Sequence, residues 1–364
     1  MTKPNVGVVG CGYWGPNLIR NFNALPECNL KAVCDTDKGR LAMIAESYPN
    51  VETHTSYDIF LNDADLDAVV IAVPVRHHFD LAVRSLTAGK HTLIEKPMAT
   101  TVDECKKLID LAAQKNLTLM VGHTFMYSPV VKKIKEIVDS GEIGQIHYIS
   151  SRRLNLGLYQ KDINVVWDLA PHDLSIILYL MKTSPSEINC RGKTTCNANI
   201  PDVSNMTLVF ADEGFATIHN SWLDPRKVRD MAIVGDGKMI VYDDLEQHEK
   251  IKIYDMRVDP QSEPNESRVS YHYGDMWAPY ITPSEPLRVE CAHFIDCIVT
   301  GKEPITNGAN GLEIVKILTL ASESMQNSGN NLLIRNGDSN CGAIFPSRGL
   351  PHEYITLREQ SHRA

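Results

Sequence analysis

Val6-Gly7-Val8-Val9-Gly10-Cys11-Gly12-Tyr13-Trp14-Gly15-Pro16-Asn17 lies near the start of the sequence, and its reading decides the fold. An apolar run that suits a buried strand leads into Gly-x-Gly-x-x-Gly, and the residues after it, to Ala24, carry apolar side chains at helical spacing. A glycine triplet alone is a weak signal. Here it follows a strand pattern, opens a helix pattern, and is followed 20 residues after Gly15 by Asp35 at the end of the next strand pattern. Those are the three conditions of a dinucleotide-binding turn. Gly10 allows the tight turn, Gly12 lets backbone approach a pyrophosphate, and Gly15 lets helix and strand pack closely, with the phosphates at the positive end of the helix. Asp35 can accept hydrogen bonds from the adenosine ribose hydroxyls and repels a 2′-phosphate, which favours NAD over NADP; Lys38 and Arg40 stand nearby.

Outward from this turn, residues to 122 alternate apolar runs with amphipathic stretches, as strand-helix-strand units around a parallel sheet do. Strands are expected at Asn5 to Gly10, Leu30 to Asp35, Ala68 to Val73, His91 to Ile94 and Thr118 to Gly122, and Thr101 with Glu104 marks a helix start. From Gln145 the pattern turns to extended segments, among them Ile146 to Leu154 and Met231 to Val241, with hairpin turns at Asp212-Glu213-Gly214 and Gly235-Asp236-Gly237. One helix, Asp168 to Met181, interrupts them, and two more follow at Leu287 to Thr300 and Gly308 to Asn327. Pro260 to Pro286 reads as a surface loop. The expected division is a dinucleotide-binding domain over 1–122, a substrate and oligomerisation domain over 123–336 with a mostly antiparallel open sheet and helices on one face, and a tail over 337–364.

Composition narrows the function classes. The 364 residues are 43% hydrophobic and 22% charged, an ordinary globular balance, and exceed what one hydrophobic core usually holds. A formal charge of −9 argues against a general nucleic-acid binder. No apolar run is long enough to span a bilayer and no signal-peptide pattern opens the sequence. Nine scattered cysteines without a Cys-x-x-Cys pair read as reduced thiols of a cytoplasmic protein rather than a disulfide or zinc framework.

Glu95-Lys96-Pro97 follows the fourth strand pattern, which puts Lys96 at the carboxyl edge of the sheet, where ligands bind in open α/β folds. Its ammonium could donate to a substrate oxygen; alone, the tripeptide reads more readily as a surface lysine in a βα loop. In Trp167-Asp168-Leu169-Ala170-Pro171-His172-Asp173, Asp168 and His172 are four apart and share a helix face. A histidine suits proton acceptance from an alcohol near neutral pH, although an N-terminal capping Asp with a core His fits the spacing as well. No further ligands at metal spacing accompany them, so no metal is expected.

Together these elements resemble the glucose-fructose oxidoreductase, inositol dehydrogenase and rhizopine catabolism (Gfo/Idh/MocA) family of nicotinamide-dependent sugar oxidoreductases, over about 330 residues. The resemblance implies a Rossmann domain whose cofactor contacts include Gly10, Gly12, Tyr13, Trp14, Gly15, Asp35, Val73, Pro74, His78, Glu95 and Lys96. It further implies that Lys96, Asp168 and His172 are catalytic and also touch the substrate. His123 and Tyr127 depart from the common pattern and either face the substrate or pack at the domain junction. Arg152, Arg153, Asn155 and Lys161 form a cationic and polar group that a substrate diphosphate would explain, or an edge-strand pair. The Gly12 to Asn17 variant and the Trp167-Asp168 element look most similar to members acting on nucleotide sugars in surface-polysaccharide synthesis. The implied activity is NAD-dependent oxidation of a secondary hydroxyl, at C3, of a nucleotide-linked sugar such as UDP-N-acetylglucosamine or its uronic acid. The alternatives are an NADPH-dependent 3-ketosugar reductase, a free-polyol dehydrogenase of the inositol type, and a non-catalytic dinucleotide-binding regulator. A homodimer or homotetramer built through the second domain's sheet is expected, because an uncovered sheet face would leave apolar surface in water.

Overall fold

The computed structural model describes residues 3–157, 159–160, 163–196, 200–260 and 269–334. In chain order the elements are β1 (Asn5–Val9), α1 (Gly15–Ala24), β2 (Asn29–Cys34), α2 (Lys38–Ser47), β3 (Glu52–His54), α3 (Tyr57–Leu61), β4 (Ala68–Ile71), α4 (His78–Thr87), β5 (His91–Glu95), α5 (Val102–Lys115) and β6 (Leu119–Gly122). There follow α6 (Pro129–Asp139), β7 (Ile146–Leu154), α7 (Val165–Met181), β8 (Glu187–Lys193), β9 (Val203–Val209), β10 (Phe215–Ser221), β11 (Val228–Gly235), β12 (Met239–Asp243), β13 (Ile251–Pro260) and β14 (Val269–Trp277). The last are α8 (Pro286–Thr300), α9 (Gly308–Gln326) and β15 (Leu332–Leu333). The chain forms two compact units, one of residues 3–128 with Ser284–Lys316, the other of Pro129–Pro283 with residues 317–334.

The first unit holds a sheet in the order β3-β2-β1-β4-β5-β6, every pair parallel. Its central strands read as near-continuous buried runs, such as Ala68–Ile71 with all four residues buried, because helices cover both faces of such a sheet. Helix α5 starts at the expected capping box, with Thr101 Oγ1 accepting from Glu104 N–H at 3.2 Å and Glu104 Oε2 accepting from Thr101 N–H at 3.1 Å. The strand order reverses between β1 and β4, and the loops leaving these two strands, Gly10 onward and Val73-Pro74, bound the crevice where open α/β sheets take ligands.

Helix α8 packs against α1, where Phe22 meets Phe294 edge to face at 6.5 Å. Residues 284–316 thus count with the first unit, unlike the continuous 123–336 domain expected from sequence. Local pattern identifies α8 as a helix; only its apolar partners, distant along the chain, decide which core it joins.

Within the described residues of the second unit the sheet runs β14-β13-β12-β11-β7-β10-β9-β8-β15. Pairing is antiparallel except between β7 and β10. Helix α7 lies against β7, β9 and β10. The expected hairpin turn at Gly235-Asp236-Gly237 divides Met231 to Val241 into β11 and β12. One sequence expectation is corrected. The expected loop Pro260 to Pro286 contains β14, which pairs with β13. Tyr271 and Tyr273 of β14 are 61% and 75% exposed, so the strand has no alternation of buried apolar residues to betray it.

Candidate active site

The glycine turn separates into two roles. Gly10 has φ +99°, and a Cβ there would stand 2.3 Å from the Ala72 carbonyl oxygen; a Cβ on Gly15 would stand 1.9 Å from the Gly10 carbonyl oxygen. Both glycines are required by the protein's own packing. Around Gly12 the nearest atom to a Cβ would be Arg40 Nη1 at 3.8 Å, so nothing within the chain demands a glycine there. The open space beside Gly12, at the N-terminus of α1, fits the approach of a pyrophosphate. Tyr13 and Trp14 flank it, Tyr13 at 91% exposure.

Asp35 is tied into the same loop. Its Oδ2 accepts from Cys11 N–H at 2.6 Å and its Oδ1 from Asp37 N–H at 2.8 Å, with Arg40 Nη1 3.8 Å from Oδ2. The carboxylate is thus preset at the end of β2 by backbone donors, where a ribose would meet it. These residues fit a bound dinucleotide.

Val73 and Pro74 leave β4, and Glu95 and Lys96 leave β5. His78 joins the two loops: Nδ1 lies 2.8 Å from the Pro97 carbonyl oxygen and Nε2 2.8 Å from that of Val73. Its ring is buried and both nitrogens are occupied, so His78 braces these two loops; burial holds its pKa below the ordinary histidine value. Lys96 N–H donates to Glu95 Oε2 at 3.2 Å, and the Lys96–Pro97 peptide is cis. Burial pushes Glu95 up to about 7, against the opposing pull of the Lys96 ammonium.

His123 and Tyr127 turn out to be interior. Tyr127 is fully buried, its hydroxyl 2.9 Å from Thr306 Oγ1 and its ring against His293, which corrects the expectation that it faces the substrate. His123 is 1% exposed, and burial with help from the Lys96 charge lowers its pKa to about 3, so it stays neutral. The physical reason for both is the return of residues 284–316 onto this segment, which no local pattern announces.

In the second unit α7 begins at Val165, three residues before the expected start, because Asn164 supplies the cap: its Oδ1 accepts from Val166 and Trp167 N–H at 3.0 and 3.1 Å. Asp168 is therefore inside the helix and not its cap, and it shares a face with His172. Trp222 Nε1, just past β10, donates to Asp168 Oδ2 at 3.1 Å and fixes that carboxylate. Both Asp168 and His172 are half-buried.

The structure does not bring Arg152 and Arg153 together. Adjacent strand residues point to opposite faces. Arg153, 6% exposed, makes a two-bond fork to Asp173 at 3.0 and 3.1 Å, while Arg152 pairs with Asp230 on the other face. This corrects the reading of the two as one diphosphate cluster: both charges are matched from within the unit. Asn155 follows β7, its N–H donating to the Ser221 carbonyl at 3.1 Å. Lys161 lies outside the described residues.

Sequence reasoning missed Asp173 and Trp222. Asp173 was visible as a second acid beside His172, but nothing local pairs it with Arg153, 20 residues away. Among the described residues no group of three or more His, Cys, Asp or Glu could hold a metal ion, and no helix is long and apolar enough to cross a membrane. Eight cysteines are described, all free, and of these only Cys196 is exposed.

Comparison with known proteins agrees with this construction. Residues 4–123 match the model described as "Oxidoreductase family, NAD-binding Rossmann fold", and residues 131–241 match the "GFO/IDH/MocA C-terminal domain". An uncharacterized oxidoreductase, YrbE, of Bacillus subtilis is 29% identical over 232 residues, 61% of this chain and 68% of that protein. Inositol 2-dehydrogenase 2 of Saccharopolyspora erythraea is 32% identical over 181 residues, 49% of this chain. The match spans only 53% of that enzyme's own length. Among solved structures, UDP-N-acetylglucosamine 3-dehydrogenase GnnA from Acidithiobacillus ferrooxidans shares the fold with a TM-score of 0.75 at 23% identity, over 90% of this chain and 99% of that one.

Proposed function

Because the chain belongs to the Gfo/Idh/MocA family of oxidoreductases and carries its NAD-binding Rossmann domain, we propose that it is an NAD-dependent dehydrogenase oxidising a secondary hydroxyl, at C3, of a nucleotide-linked sugar such as UDP-N-acetylglucosamine or its uronic acid. The observation that carries the dehydrogenase chemistry is the presence, in a chain of this family, of Lys96 at the carboxyl end of β5 and of Asp168 and His172 on one face of α7. A non-catalytic dinucleotide-binding regulator would need none of the three.

The roles follow from their chemistry. His172 accepts the hydroxyl proton, Lys96 donates to that oxygen and favours its ionised form, and Asp168, fixed by Trp222, orients the sugar or the imidazole. Gly10, Gly12, Gly15 and Asp35 would hold NAD, which when bound supplies the hydride acceptor. The protein's own contribution is positioning and electrostatics. The nucleotide-sugar choice is supported by the Gly12-Tyr13-Trp14-Gly15-Pro16-Asn17 variant and the Trp167-Asp168 element, and a GnnA-like activity is the model reaction. A diphosphate would have to be met by groups other than Arg153, whose charge Asp173 already answers.

A second reading, free-polyol oxidation, is favoured by the 32% identity to an inositol dehydrogenase. The deciding experiment measures NAD reduction by the purified protein with UDP-N-acetylglucosamine, its uronic acid, the same sugars without UDP, and myo-inositol. Reduction confined to the UDP compounds supports the proposal; reduction with myo-inositol alone replaces it with the second reading. The outer face of the second unit's sheet exposes the stacked pair Tyr148 and Phe215, 5.5 Å apart, which supports a homo-oligomer formed through that sheet. A monomeric mass in sedimentation would remove that part.

A further inference from the structure

Several buried polar groups that the proposed chemistry does not use occupy one corner of the first unit. Glu290, on α8, is wholly buried; its Oε2 accepts from Thr124 Oγ1 at 2.8 Å, and its Oε1 has no hydrogen-bond partner among the described residues. Glu95, 9% exposed, accepts from Lys96 N–H and from the Trp14 side chain, yet its Oε1 is likewise unpartnered. Gly122 makes room for Glu95, since a Cβ there would stand 3.1 Å from the carboxyl carbon. His123, next in sequence to both Gly122 and Thr124, has two buried ring nitrogens with no partner.

Two carboxyl groups excluded from water within reach of each other's charge cannot both ionise. The neighbours decide which one keeps the proton. Glu95 has the Lys96 ammonium, the Lys96 N–H and the Trp14 donor to favour its anion, whereas Glu290 has Thr124 alone. An unpartnered oxygen on each carboxyl is what one shared proton would satisfy: an O–H on one side, an acceptor on the other.

We propose that Glu290 remains a neutral carboxylic acid in the folded protein, its proton turned toward Glu95, so that this corner carries a single negative charge beside Lys96. Glu290 is then a positioning residue, acting on Lys96 through Glu95. That consequence rests on the reading of Lys96 given above; the shared proton does not. Burial raises Glu290 well above the usual carboxylate range, and the Glu95 charge adds to the effect. The other titratable groups around the pair are Lys96 beside Glu95, Tyr127 and Cys291 beside Glu290, His123 within reach of the Lys96 charge, and Glu285 beyond Cys291. Burial raises Tyr127 and Cys291 well above their ordinary values and lowers His123, so these three stay neutral, and Glu285 is tied to Arg20.

Infrared difference spectroscopy of the whole protein in heavy water, without substrate, tests this. The wild type minus Glu290→Gln spectrum at mildly alkaline pH is expected to show the carbonyl band of a protonated carboxyl; a carboxylate band instead overturns the proposal. Glu95 is followed by subtracting Glu95→Gln spectra in each background. Its midpoint should hold in Glu290→Gln, whose amide still donates, and rise by about one pH unit in Glu290→Met, which has the length but no donor. A midpoint that falls in Glu290→Gln means that a negative charge was removed and also overturns the proposal. If Glu290→Met does not fold, the Glu290→Gln spectra decide alone.

Discussion

Replacing Asp173 by Asn should destabilise the second unit far more than its single-atom change suggests. Arg153 and Asp173 are 6% and 3% exposed and joined by two hydrogen bonds at 3.0 and 3.1 Å. At an effective dielectric of about 20 and a charge separation of about 4 Å, the attraction is about 4 kcal/mol. Asn keeps the shape and one acceptor but removes the charge of the carboxylate that forks to the buried guanidinium, and such losses cost about 3–5 kcal/mol. For a unit of this size that lowers Tm by about 6–20 °C. Arg152→Ala is the control: its pair with Asp230 leaves Arg152 about half exposed, so removal should cost about 1 kcal/mol or less. Trp167, Trp222 and Trp277, three of the four tryptophans, lie in the second unit, so tryptophan fluorescence during urea or thermal unfolding reports mainly on it. The double variant Arg153→Met with Asp173→Leu should recover most of the loss, since replacing a buried pair by apolar side chains is often neutral. Asp173→Asn with unchanged stability and a raised KM for the sugar would refute this reasoning and make Arg153 a ligand group after all.

Other outcomes follow from the same geometry. Gly12→Ala should fold normally and lose dinucleotide affinity, measured by NADH fluorescence titration, whereas Gly15→Ala should be unstable even without cofactor, because its methyl group would collide with the Gly10 carbonyl. Equal thermal stability of the two variants would contradict this. Lys96→Met and His172→Ala should each lower turnover by about 100-fold or more while leaving NADH binding nearly intact; near-normal turnover in either removes that residue from the mechanism. His123 should make the first unit acid-sensitive. Burial holds its folded pKa at about 3, below the unfolded value, so its contribution is complete above about 6.5 and is lost as pH falls toward 3, at about 1.4 kcal/mol per pH unit. Glu95, raised to about 7, works in the opposite sense and loses stability as pH rises from its unfolded value toward 7. Equal slopes of stability against acid pH for the wild type and His123→Phe would show that the histidine does not titrate in this way.

The sequence by itself determined whatever depends on neighbours within a turn or a strand. The β1-Gly10-Gly12-Gly15-α1 turn, Asp35 at the end of β2, the Thr101 and Glu104 cap, the parallel first sheet and the shared face of Asp168 and His172 were all legible, because each is set by backbone sterics or by a fixed period of side-chain direction. Tertiary structure alone decided which distant groups meet. The same alternation that places Arg153 and Arg152 on opposite faces says nothing of Asp173 or Asp230, and the helical period of α8 says nothing of its return to the first unit. Such pairings are selected by the burial and charge balance of the whole core, to which residues far apart in the chain contribute together. That is why the sequence left Tyr127 and His123 open between facing the substrate and packing inside, and only the fold, by enclosing them, chose the second.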